Sequence, residues 1–166
     1  DRSRRMVGAL PRIFPEGTVI LYELLQNAAD SGATNAKFEV VQDTLLFSHN
    51  GYRFTENDVY AISFVNSSYK GADTIGFMGL GFKAAYEISA DPEIHCPPFY
   101  FHFDNSISGG SLFPTSIAPN QRHEPSAGYT TLFRFPLKAT AIKQVEQELQ
   151  RFDGRPLLYI GKKLTK

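Results

Sequence analysis

VILYELLQNAADSGA, residues Val19 to Ala33, is the stretch whose reading decides the fold. At helical spacing Ile20, Leu21, Leu24, Leu25 and Ala28 line one apolar face, the kind a helix buries against a core. Glu23, Asn27 and Asp30 stand at i, i+4 and i+7, so they share another face, one above the other. Ser31-Gly32 closes the segment, and Gly32 suits the left-handed position that ends many helices. Taken alone, such a polar stripe is usually the solvated side of an amphipathic helix. The surrounding chain decides whether it carries chemistry.

Working outward, Ala36 to Val41 (AKFEVV) and Thr44 to Ser48 (TLLFS) read as two strands, with Gln42-Asp43 as the tight turn of a hairpin. His49-Asn50-Gly51 marks a turn at the end of the second strand. Thr55 can cap a following helix through Val59 and Ile62, with Asp58 at its third position. Phe64 to Thr74 is polar, small and aperiodic, and reads as a loop. It runs into IGFMGLGFKAAYEIS, where Gly76, Gly79 and Gly81 precede a helix from about Phe82 to Ile88. Asp91 to Gln121 is rich in Pro, Ser and Gly, interrupted by the strand-like Phe99 to Asp104. Tyr129 to Leu137 alternates as a strand, and Ile142, Val145, Leu149 and Phe152 mark a last amphipathic helix over Thr140 to Phe152. Residues 1–17, basic and broken by Pro11 and Pro15, form a lead-in. Strands and helices alternate without a regular strand-helix-strand beat. That predicts an α+β fold, a two-layer sandwich with helices on one face of a mixed sheet.

With 166 residues, 42% hydrophobic and 20% charged, the chain has the composition of one soluble globular domain. Its 17 basic and 17 acidic residues cancel, which supports neither nucleic-acid wrapping nor a membrane-surface role. No apolar run approaches the ~20 residues of a membrane span, and no signal-peptide pattern opens the chain. The single cysteine, Cys96, has no internal disulfide partner and suggests a reducing, cytoplasmic setting. His95, His102 and His123 invite a metal reading, but their spacings fit no standard zinc pattern and they read as structural. The abrupt start at Asp1 and the end in GKKLTK read as a piece of something longer.

Glycines before a helix offer bare N–H groups and a dipole to a phosphate. Gly76-x-x-Gly79-x-Gly81 nevertheless reverses the dinucleotide fingerprint, and no strand precedes it. It also misses the P-loop pattern: Phe82 displaces Lys83 by one place, and Ala84 stands where a Ser or Thr would hold magnesium.

Four stretches in order, ELLQNAADSGA, FSHNGYRFTENDV, IGFMGLGFKAAYEIS and TTLFRFPL, resemble the motif set of the Bergerat-fold ATPases. Within that superfamily the wording is most similar to the sacsin-like branch of the heat-shock-chaperone-type domains, over about Pro15 to Leu158. The resemblance implies that Glu23 is the general base and that Asn27 binds magnesium. Asp30 corresponds to the acidic edge of the base pocket, and Gly76, Gly79 and Gly81 to the loop around the phosphates. Lys83 would reach a phosphate, Thr131 would hydrogen-bond near the adenine, and Phe64 to Thr74 would form a lid. The second motif departs from the family's Asp-x-Gly-x-Gly. Its Asp, which accepts from the adenine amino group, is His49 here; Gly51 is kept and Arg53 replaces the second glycine. A neutral His49 is expected to take over as acceptor and to lose that role as pH falls from about 8 to 5.5.

The implied function is Mg-dependent ATP binding and hydrolysis that closes a lid and drives change in attached domains or a homodimer partner. Two alternatives stay open: a nucleotide switch without turnover, and a chaperone or scaffold module with a vestigial pocket.

Overall fold

The first helix, α1 (Val19–Asp30), forms where its apolar spacing predicts. Its end is a Schellman motif: the Ala33 N–H reaches the Ala28 carbonyl and the Gly32 N–H that of Ala29, both at 2.9 Å. Gly32 takes φ +74°, which a residue with a side chain reaches only under strain. The structure, a computed structural model, describes residues 19–64, 85–103 and 114–152. The lead-in 1–17, the phosphate-loop residues Gly76, Gly79, Gly81 and Lys83, and the lid beyond Phe64 lie outside the described residues.

Strands β1 (Ala36–Val41) and β2 (Thr44–His49) form the expected hairpin. Its two turn residues, Gln42 and Asp43, both have positive φ, 47° and 58°, as the right-handed strand twist requires of a two-residue loop. Helix α2 (Glu56–Phe64) is capped as expected. The Thr55 N–H and hydroxyl both donate to Asp58 Oδ2 at 2.7 Å, and the Asp58 N–H returns to Thr55 Oγ1 at 3.3 Å. Residues 85–88 are helical, consistent with the tail of the helix expected there. Next come β3 (Glu93–Cys96), β4 (Phe99–His102), β5 (Thr115–Ser116), β6 (Thr131–Pro136) and helix α3 (Ile142–Arg151).

The sheet runs β1-β2-β6-β3-β4-β5. The α+β class is as predicted, but the mixed sheet is not: every strand pair among the described residues is antiparallel. Two hairpins and the insertion of β6 between β2 and β3 account for this. Strand β3 was not anticipated. It is only four residues long, and Pro92, Pro97 and Pro98 gave the stretch the look of a loop.

Period-2 alternation sorts the sheet into two faces. Phe47, Ile94, Phe133 and Phe135 face the helices and pack with Leu21, Leu24 and Ala28 of α1 and Val145 of α3. Phe133 stacks on Phe135 at 6.3 Å and tilts against Phe47 at 5.9 Å. Truncating the fully buried Phe47 to Ala removes transfer energy and leaves a cavity, about 3–5 kcal/mol together. The other face is polar, with Glu93, His95, Tyr100, His102 and Arg134 side by side. Among the described residues, no helix is long and apolar enough to cross a membrane.

Candidate functional site

The polar stripe of α1 is not simply solvated. Asn27 is 7% exposed, and its Oδ1 is buried with no hydrogen-bond partner among the described residues. A buried amide oxygen left unmatched costs about 1–3 kcal/mol, which sets Asn27 apart from the rest of the stripe. Glu23, one turn earlier, is half-buried, and its pKa is raised by that burial and by the charge of Asp30. Asp30 itself is exposed and accepts from Gln26 Nε2 at 3.0 Å. Carboxylate and amide oxygen on successive turns lie about 5–6 Å apart at Cβ.

The exit of β2 docks on the end of α1. A Cβ on Gly51 would sit 1.9 Å from Ser31 Oγ and 2.9 Å from the Ser31 carbonyl, so only glycine fits. The Tyr52 N–H donates to that same Ser31 carbonyl at 2.8 Å. Asn50 locks the turn by accepting the Thr34 and Asn35 N–H groups at 2.9 and 2.8 Å. Ser31 follows Asn27 by one turn, its N–H bonded to the Asn27 carbonyl. Helix stripe and second motif are thus joined at a single close contact.

His49 is 1% exposed. The Gly51 N–H donates to its Nδ1 at 3.1 Å, which places the ring proton on Nε2. Burial lowers its pKa to about 4. Both findings correct the sequence reading. The imidazole does not switch between pH 8 and 5.5, and its one acceptor nitrogen is already engaged by Gly51. What it has to offer is a donor.

Thr131 lies directly opposite His49 in the β2–β6 register and is fully buried. Its hydroxyl donates to Cys96 Sγ at 3.2 Å, and the Phe54 N–H donates to the same sulfur at 3.3 Å. Cys96 therefore does more than fill space: it orients the Thr131 hydroxyl. Only a correctly placed β3 would have signalled that role. Thr130, next in the chain, binds the Gly51 carbonyl through Oγ1 at 2.6 Å.

Among the described residues, no three His, Cys, Asp or Glu side chains converge to hold a metal. His95, 0% exposed, instead accepts the His123 N–H on Nδ1 at 3.2 Å and faces Glu93 Oε2 through Nε2 at 2.9 Å. His102 Nδ1 meets Asp91 at 2.6 Å.

No family model matches the chain. It is 27% identical over 177 residues to Protein NO VEIN of Arabidopsis thaliana, covering 89% of this chain and 6% of that protein. It is 34% identical over 100 residues to Sacsin of Homo sapiens, covering 49% of this chain and 2% of that protein. The chain thus spans a small fraction of the length of each relative, and its similarity to both is a sacsin-like one.

Proposed function

We propose that this chain is a nucleoside-triphosphate-binding and -hydrolysing domain of the sacsin-like kind, ATP being the nucleotide that the resemblance implies. The observation that carries the reading is Asn27: a buried side-chain oxygen without a partner, one turn from a carboxylate whose pKa burial raises. A neutral amide oxygen suits magnesium, which takes few protein ligands and leaves the rest to phosphate and water. Asn27 would hold it, and the ion when bound would neutralise charge on the phosphate oxygens. Glu23 has the chemistry to orient a water and accept its proton, and a raised pKa makes it the stronger base. The half-buried setting keeps that carboxylate partly out of bulk water. The glycines at 76, 79 and 81, with Lys83, enter on sequence grounds as the phosphate loop. Transmission of the cycle to attached domains fits relatives many times longer than this chain.

Two substitutions test it. Asn27→Ala should abolish most Mg-dependent nucleotide affinity while leaving the melting temperature unchanged or higher, since an unmatched polar group is removed and a good helix former introduced. Glu23→Ala should keep affinity within a few fold and lower turnover by roughly 10² or more. Equal Mg–ATP affinity in Asn27→Ala sinks the metal assignment, and unchanged hydrolysis in Glu23→Ala sinks the base assignment.

A further inference from the structure

We infer that β1 is a self-association edge, through which two copies of this chain pair antiparallel about a two-fold axis at Phe38. This surface is independent of the nucleotide reading. β1 ends the sheet, and among the described residues no strand lies beyond it. The two-residue loop at Gln42 and Asp43 makes Val41 and Thr44 a hydrogen-bonded pair, so the backbone groups of Val41, Glu39 and Lys37 go to β2. Those of Ala36, Phe38 and Val40 point away from the sheet, and none is taken up by another described residue. Proteins usually blunt such an edge with a proline, a bulge or an unmatched charge. β1 has no proline and an unbroken register with β2, and its one lysine is matched by a glutamate two residues on.

That charge pattern fits a second copy in one register. A copy can bond only where its outward residues meet outward residues, which allows the register centred on Phe38 and slips of two residues. One slip sets Lys37 against Lys37 of the copy, and the other sets Glu39 against Glu39. In the centred register Lys37 of each copy faces Glu39 of the other, twice by symmetry. Lys37 and Glu39 already pair at 2.8 Å within one strand and are partly exposed, so the four charges alternate in sign across the axis. Ala36 then meets Val40 and Phe38 meets its own copy, on the face that packs against the core. Beside them a groove of about 480 Å³ lies between β1 and α3, with Phe38, Val40, Leu149 and Phe152 in its walls. Pairing continues the sheet through the axis and sets the two grooves side by side.

Sedimentation velocity of the whole chain at high micromolar concentration, without nucleotide, tests it. The expected species has twice the 18.6 kDa of one chain. Glu39→Lys places lysine against lysine on both sides of the axis, and Lys37→Glu places glutamate against glutamate. Both side chains are partly exposed and outside the core, so both variants should fold. Each variant alone should dissociate about tenfold or more readily than the parent, as like charges replace opposite ones at two places. An equimolar mixture of the two should regain the parent's association, because lysines then face glutamates. A monomeric parent overturns the inference. So does a dimer equally tight in both variants, which puts the contact on another surface. A monomer whose Phe38 and Val40 amides are protected from hydrogen exchange overturns it too, and gives the edge to another segment of the same chain.

Discussion

His49 and His95 are both almost completely buried, on opposite faces of one sheet, and their surroundings differ. His95 has both ring nitrogens matched, Nδ1 by the His123 N–H and Nε2 by Glu93, whose carboxylate also takes Arg134 Nη1 at 2.5 Å. His49 takes the Gly51 N–H on Nδ1, and its ring lies 5.9 Å from those of Phe47 and Phe133. A closed network of charges and hydrogen bonds clamps a segment: residues 117–124 lie on the outer face, with Arg122 over the Tyr100 ring at 4.7 Å and Tyr100 bonded to Glu124. The His49 ring sits instead among phenylalanines, with one backbone donor on it. Burial by itself does not distinguish the two; counting partners does.

The largest effect should come from opening the closed network. Burial pushes the Glu93 pKa up, but hydrogen bonds from His95 and Arg134 and their charges outweigh it and hold the carboxyl below its usual range. Glu93→Ala leaves the largely buried Arg134 guanidinium and the His95 Nε2–H unmatched, about 3–5 kcal/mol by the measure of other broken buried pairs. Urea denaturation checks this, and a loss below about 1 kcal/mol would mean that water already satisfies those groups.

Acid sharpens the contrast next. The folded-state pKa of His49, about 4, lies below the ~6.5 of an unfolded histidine, so the unfolded chain binds the extra proton first. The stability that neutral His49 confers is present above pH 6.5 and is lost as pH falls towards 4, about 3 kcal/mol over that window. His123, also lowered by burial and by Arg134, acts in the same direction. Measured stability against pH should slope between 6.5 and 4 and flatten in His49→Leu; an unchanged slope there assigns the acid sensitivity to other groups.

The smallest effect is that same His49→Leu substitution at neutral pH. Only the Gly51 N–H loses an acceptor, and a leucine gains burial among phenylalanines, so the cost should be about 1 kcal/mol. A loss of about 3 kcal/mol or more would place His49 with His95 among the histidines that hold the fold together.

Periodicity alone was enough for α1 and its glycine cap, the β1–β2 hairpin, the Thr55–Asp58 cap, β6 and α3, because each depends on side chains a few residues apart in the chain. It also set Glu23, Asn27 and Asp30 on one face of α1, whereas His49 and Thr131 entered only through the resemblance. Strand β3 was hidden because a four-residue strand between prolines has no period to detect; its partners lie on β4 and β6. The tertiary structure alone decided the antiparallel pairing, the meeting of Gly51 with Ser31, and the engagement of Thr131 by Cys96. It alone set a backbone N–H against the acceptor nitrogen of His49. The residue type says only that an imidazole has one donor and one acceptor when neutral. Which nitrogen holds the proton depends on the N–H that folding sets against the other, and here that is the backbone of Gly51.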